Sequence, residues 1–161
     1  MSRSSCVPSV VKFVTVKIKV AWIGKTRNPA IQSLTDDYLG RLRQYADVTG
    51  LSVKDESALL KLSSADARPR HRLILLDARG KQLSSVEFAR WLGEQQDRSS
   101  MPLLVAIGAA DGFSEQARTA ATSVLSMGKM TFAHELARVV FLEQLYRAFT
   151  IIKGHPYHLG H

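Results

Sequence analysis

From Val14 to Trp22 the apolar residues Val14, Val16, Ile18, Val20 and Trp22 alternate with Thr15, Lys17, Lys19 and Ala21. That period of two predicts a strand with one wetter face, and it stops at Gly24. Asn28-Pro29 then supplies an N-cap and a first-turn proline. Ile31, Leu34, Tyr38, Leu42 and Tyr45 follow at three- and four-residue steps, so an amphipathic helix is expected. A weaker strand near 49–53 and a short helical stretch around 58–62 come next. The run Leu73-Ile74-Leu75-Leu76 is apolar on both faces, as in a sheet covered on both sides.

Ser84 with Glu87 forms a capping box opening a helix that carries Phe88, Trp91 and Leu92 inward. A second doubly apolar strand, Leu103–Ile107, follows Pro102. Two such strands separated by one helix make a parallel βαβ unit. A further helix over 114–124, a short Met/Gly/Lys segment, the longest helix over 135–153 and a His-rich tail complete the chain. The expectation is α/β: one domain over 16–161, a mainly parallel sheet with helices on both faces. Residues 1–15, Ser-rich and free of acids, are expected to be a disordered N-terminal extension.

Length and composition fit that reading. With 161 residues, 45% apolar and 22% charged, the chain can bury a core without disulfides or metal. The lone cysteine, Cys6, forms no intramolecular disulfide and no CxxC pair, which favours a reducing cytoplasm. No apolar run approaches the roughly 18 residues needed to span a bilayer, so membrane insertion is not expected. The net charge of +8 is unevenly distributed. Residues 1–30 hold six bases and no acids, and residues 67–86 hold five bases and one acid, while the last part of the chain is balanced. Lys12, Lys17, Lys19, Lys25 and Arg27 belong to the first block; Arg68, Arg70, Arg72, Arg79 and Lys81 make the second. An anionic partner such as nucleic acid is indicated.

Ligands of open parallel sheets bind beyond the carboxyl ends of the strands. Three segments qualify: Asp77-Ala78-Arg79-Gly80, Gly108-Ala109-Ala110-Asp111-Gly112, and Met127-Gly128-Lys129-Met130-Thr131. None is a Walker loop or a GxGxxG turn, so a nucleoside-like ligand without a phosphate chain is the remaining candidate. His134, His155, His158 and His161 lack an HExxH pair, and no metal site is expected. There is no GxSxG elbow, and Glu143 with Arg147 reads as an i,i+4 ion pair.

The stretch from Thr131 through His134, Arg138, Glu143, Tyr146 and Arg147 to Ala148, together with Tyr157-His158, closely resembles the ribosomal RNA large subunit methyltransferase H family of the SPOUT class. The strand ending in Gly24, the Leu76-Asp77 strand end with Gly80-Lys81, and Ile107-Gly108 match in order and spacing. The resemblance implies a C-terminal trefoil knot, a homodimer, and S-adenosylmethionine bound near Leu76, Gly108, Met127, Gly128, Lys129, Met130, Thr131 and Phe132. It further implies methylation of N3 of a pseudouridine in 23S ribosomal RNA, on naked RNA or the assembled ribosome.

A sulfonium methyl is already electrophilic, so such a reaction needs alignment rather than a metal or covalent intermediate. Arg138 and His158 are the proposed catalytic pair, one steadying the developing imide anion and the other relaying its proton. Tyr157, Lys25 and Arg27 are the proposed RNA contacts, Tyr157 by stacking. Two departures stand out: Ala109 where the family has a second glycine, and Ala133 where it has proline. The competing readings are a SPOUT tRNA ribose 2'-O-methyltransferase and a catalytically silent RNA- or ribosome-binding module.

Overall fold

A computed structural model describes residues 16–109 and 111–159, with the backbone but not the side chain of His158. The expected extension at 1–15, including Cys6, lies outside the described residues, as do Gly160 and His161. The elements are β1 (Lys17–Ile23), α1 (Pro29–Leu42), β2 (Asp47–Val53), α2 (Glu56–Ser63), β3 (Arg72–Gln82), α3 (Ser85–Arg98), β4 (Leu103–Ile107), α4 (Glu115–Ala120), β5 (Ser123–Ser126) and α5 (His134–Ile152). A 3-10 turn, Pro156–Leu159, closes the described chain.

The strands form one sheet in the order β2-β1-β4-β3-β5, with every neighbouring pair parallel. Its two faces have separate cores. Ile18, Val20, Ile74, Val105 and Leu125 point toward α1, α3 and α5, whose Leu42, Leu92, Leu142 and Phe149 pack against them. Ala21, Leu73, Leu75 and Leu104 face the shorter α2 and α4 through Leu59 and Ala117. All five residues of β4 are buried, which is why that strand reads as an unbroken apolar run. Each fully buried aliphatic side chain contributes about 1.5–3 kcal/mol.

The local signals form as written in the chain. Asn28 accepts from the Ala30 amide at the start of α1, and Ser84 and Glu87 make both bonds of the capping box before α3. Three readings need correction. In α1, Thr35 and Leu39 are buried while Leu34 is 43% exposed, so the buried stripe is rotated from the expected one; Tyr45 lies beyond the helix. The 114–124 helix is only the six residues of α4, and it is followed by a strand, β5, that side-chain pattern did not reveal. Finally, β3 does not end at Leu76. It continues through 77–80, with a register shift against β5 between Leu76 and Lys81.

That shift brings Gly80 against β5. A Cβ there would stand 2.6 Å from the Leu125 carbonyl carbon and 2.7 Å from the Val124 carbonyl carbon. Only glycine lets the two backbones pass so closely. At the other end, α5 gives way at Gly154 (φ 71°), and Pro156 starts the final turn, as the chain punctuation predicts.

Candidate active site

The carboxyl ends of β3, β4 and β5 open into a hollow of about 210 Å³. Its walls are Leu76, Asp77, Ala78 and Arg79 from β3, and Ile107, Gly108, Ala109, Asp111 and Gly112 beyond β4. Ser126, Met127, Gly128, Met130, Thr131 and Phe132 beyond β5, with His134 and Ala137 of α5, close it. The three segments expected to carry the chemistry, the first of them part of β3 rather than a loop, therefore meet at one place. A second hollow of about 290 Å³ shares Leu76, Ser126 and Met127 with the first and runs on between α3 and α5.

Of the residues expected to hold the cofactor, Leu76, Gly108, Met127, Gly128, Met130, Thr131 and Phe132 stand in the wall, and Lys129 is exposed beside it. Leu76, Ile107, Met127 and Phe132 give apolar surface, whereas Asp77, Asp111 and His134 are polar. Such a mixture suits a small ligand with both apolar and polar parts. Gly108 is tight for a further reason: a Cβ there would lie 2.9 Å from Cε2 of the buried Phe113.

Asp77, the first residue of one of the three expected ligand segments, organises the hollow. Its side chain is 5% exposed and pairs with Arg118 at 3.6 Å. One carboxylate oxygen accepts from the Arg79 amide at 2.9 Å and the other from the Phe113 amide at 3.3 Å. Burial pushes its carboxyl up, but the Arg79 and Phe113 amides and the charges of Arg118 and Arg79 outweigh it and hold it below the usual carboxylate range. One buried anion thus ties β3 to the segment after β4. Asp111, from the expected segment after β4, and His134, which local spacing does not separate from an ordinary helix start, are further wall residues.

Arg138 lies elsewhere. It is 1% exposed, with its guanidinium 4.0 Å from the centre of the Trp22 ring, and it donates to Thr26 Oγ1 at 2.6 Å. Burial lowers its pKa, and nearby Glu135 opposes that shift. One turn away, Glu135 Oε1 accepts from the Arg27 amide at 2.7 Å. Together these contacts staple the loop after β1, which carries the exposed Lys25 and Arg27, to the first turn of α5.

The tail is moored farther along α5. Tyr157 meets Tyr146 edge-on with ring centres 4.8 Å apart, and its hydroxyl donates to Glu143 Oε1 at 3.2 Å. Burial, followed by the Glu143 charge, pushes its phenol up to about 12. Arg147 pairs with Glu143 at 2.6 Å and lies 5.3 Å from the centre of the Tyr157 ring. From His134 to Glu143 the helix rises roughly 13 Å, so these contacts sit well along α5 from the hollow. Tyr157 is thus held by α5. The side chain of His158 lies outside the described residues.

Among the described residues no three His, Cys, Asp or Glu side chains gather as a metal cluster, and no helix is long and apolar enough to cross a membrane.

Residues 16–158 match a family model described as predicted SPOUT methyltransferase. A protein from Koribacter versatilis named ribosomal RNA large subunit methyltransferase H is 53% identical over 146 residues, covering 91% of this chain and all of that protein. The protein of the same name from Geobacter sulfurreducens is 42% identical over 156 residues, covering 89% of this chain and 99% of its own length. Two solved structures share the fold. A probable methyltransferase from Bordetella pertussis has a TM-score of 0.53 at 8% identity, covering 84% of this chain and 98% of its own. A probable methylase family protein from Haemophilus influenzae has a TM-score of 0.55 at 14% identity, covering 88% and 70%.

Proposed function

The chain belongs to the SPOUT methyltransferase family, and from that premise we propose that it methylates N3 of a pseudouridine in 23S ribosomal RNA, with S-adenosylmethionine as donor. The observation that carries this reading is the meeting of three segments, distant in sequence, around one hollow of mixed polarity at the carboxyl ends of β3, β4 and β5. When bound, S-adenosylmethionine supplies an electrophilic methyl group. Leu76, Met127 and Phe132 would hold its apolar ring, and the backbone at Gly108 and Gly128 would approach it closely. Asp77 acts from behind, fixing the two loops that line the site. Such preorganisation is the main contribution a protein makes to a transfer whose donor is already activated.

In this reading Arg138 is a positioning residue, because its burial over Trp22 supports a structural hold on the loop bearing Lys25 and Arg27. Those two exposed cations contact RNA phosphates at the rim. His158 takes the N3 proton of the target base. The exposed Leu136 and Ile152 and the half-buried Val140 on α5 support a homodimer. Leu145, Tyr146 and Phe149, by contrast, are consumed by the chain's own core, and Val139 is buried. A second copy on that face would bring a tail toward the neighbouring hollow. A ribosomal RNA substrate favours the cytoplasm.

The test is calorimetric titration with S-adenosylmethionine, followed by mapping the methyl group on ribosomal RNA treated with the protein. Saturable binding and an N3-methylated pseudouridine in 23S RNA are expected. A methyl on a ribose 2'-hydroxyl, or no cofactor binding by folded protein, would refute the assignment. Sedimentation showing only monomer at micromolar concentration would remove the dimer.

A further inference from the structure

In a parallel sheet the amino ends of all strands lie together, at the end opposite the hollow described above. Lys17 and Lys19 open β1 there, and Arg68, Pro69, Arg70 and His71 lead into β3 there. The parts of the two basic blocks that precede or open β1 and β3, far apart in sequence, thus lie at one end of the sheet. Between them is a groove of about 250 Å³ walled by Lys17, Lys19, Asp47, Thr49, Pro69 and His71.

The cations of this end crowd one another. Burial lowers the Arg72 guanidinium, and the charge of Arg98 lowers it further. Burial likewise lowers His71, with Lys19 adding to it against the opposing carbonyls of Leu62 and Pro69. The one acid in the groove is Asp47, which stands beside Lys17 in the strand register and offsets a single charge. At the other end of the sheet the cations meet carboxylates, as Arg118 does with Asp77 and Glu115. Surplus positive charge that is not spent on internal pairs is left for an anion.

We propose that this groove is a second RNA contact, a cradle for the phosphate backbone in which Lys17 and Lys19 supply the charge, with the exposed Arg70, flanked in the chain by the wall residues Pro69 and His71, adding to it. It rests on the ribosomal RNA reading of the hollow and extends it. The five residues of β4 separate the two ends of the sheet by roughly 17 Å, so one nucleotide cannot occupy both. A folded RNA can, with one segment at the methylation mouth and another strand at the base. Backbone contacts of this kind fix register without reading sequence.

The experiment compares Lys17→Gln/Arg70→Gln, both exposed positions, with a control pair of equal charge loss, Lys61→Gln/Arg90→Gln. Affinity for naked 23S ribosomal RNA and for intact ribosomes is measured over a range of salt, with S-adenosylmethionine titration as the check on folding. The groove pair should bind the cofactor normally, bind RNA roughly tenfold more weakly, and show a log–log salt slope shallower by about 2. The control pair should keep wild-type affinity. An unchanged slope in the folded groove pair would overturn the proposal, as would an equal loss in the control, which would assign the effect to net charge. Wild-type protein that binds no RNA would overturn the proposal and the functional reading together. RNA binding lost with the groove pair, but with no methyl transfer by wild type, would sink only the functional reading.

Discussion

Replacing Asp77 tests whether one buried carboxylate assembles the hollow. Asp77→Ala removes the acceptor of the Arg79 and Phe113 amides and the partner of Arg118. A bond to a charged acceptor is worth about 1.5–3 kcal/mol, and the longer 3.3 Å bond to Phe113 less, so a total loss of about 2–4 kcal/mol is expected. Asp77→Asn keeps one acceptor oxygen and should cost about half as much. The carboxyl is held below its ordinary range, so its stabilisation is complete near neutral pH. It disappears only as pH falls below about 4, through the lowered folded value. Urea unfolding near neutral pH should show a lower midpoint with unchanged slope in both variants. The gap between wild type and Asp77→Asn should close in acid. Affinity for S-adenosylmethionine should fall in parallel, since the loops on both sides of the ligand are released. An unchanged midpoint and full cofactor affinity in Asp77→Asn would refute this account of the site.

Gly108→Val pushes a branched side chain toward Phe113, where a Cβ alone would lie at 2.9 Å; cofactor affinity by calorimetry should drop at least tenfold, and full affinity in a folded variant would take this loop out of the site. Ala133 has φ −56°, within the range a proline ring imposes, so restoring the family's proline should stabilise by about 0.4–1 kcal/mol, and a fall in melting temperature would show that the ring clashes. Deleting residues 157–161 should leave S-adenosylmethionine binding nearly intact yet abolish methyl transfer, with His158→Ala acting more mildly. Because Tyr157 is moored to Tyr146 and Glu143, some thermal stability is lost as well, about 1–2 kcal/mol. Full turnover by the truncated protein would remove the tail from catalysis.

The sequence by itself determined the elements whose signals are local. Doubly apolar β4, the Asn28 cap and the Ser84–Glu87 box each depend on neighbours a few residues away, and each is found as read; β1 forms over Lys17–Ile23, but Ala21, which alternation put on its wetter face, is buried in the second core. It also carried the segments of the site, because two apolar strands lead into two of them and a family pattern marks the third. The tertiary structure decided what depends on distant partners. β5 is four residues long with a half-buried pattern, and it exists because its backbone pairs with β3, so no side-chain period announces it. The extension of β3 past Leu76 follows from that same pairing, and Gly80 is required by how near β5 passes. Arg138 looks like any cation one turn into a helix until Trp22, more than a hundred residues earlier, is seen to cover it. The role of Asp77 as a tie, and the basal groove, were not legible for one reason: a charge has its meaning in a three-dimensional field, and the chain order of Lys17, Arg70 and Asp77 does not contain that field.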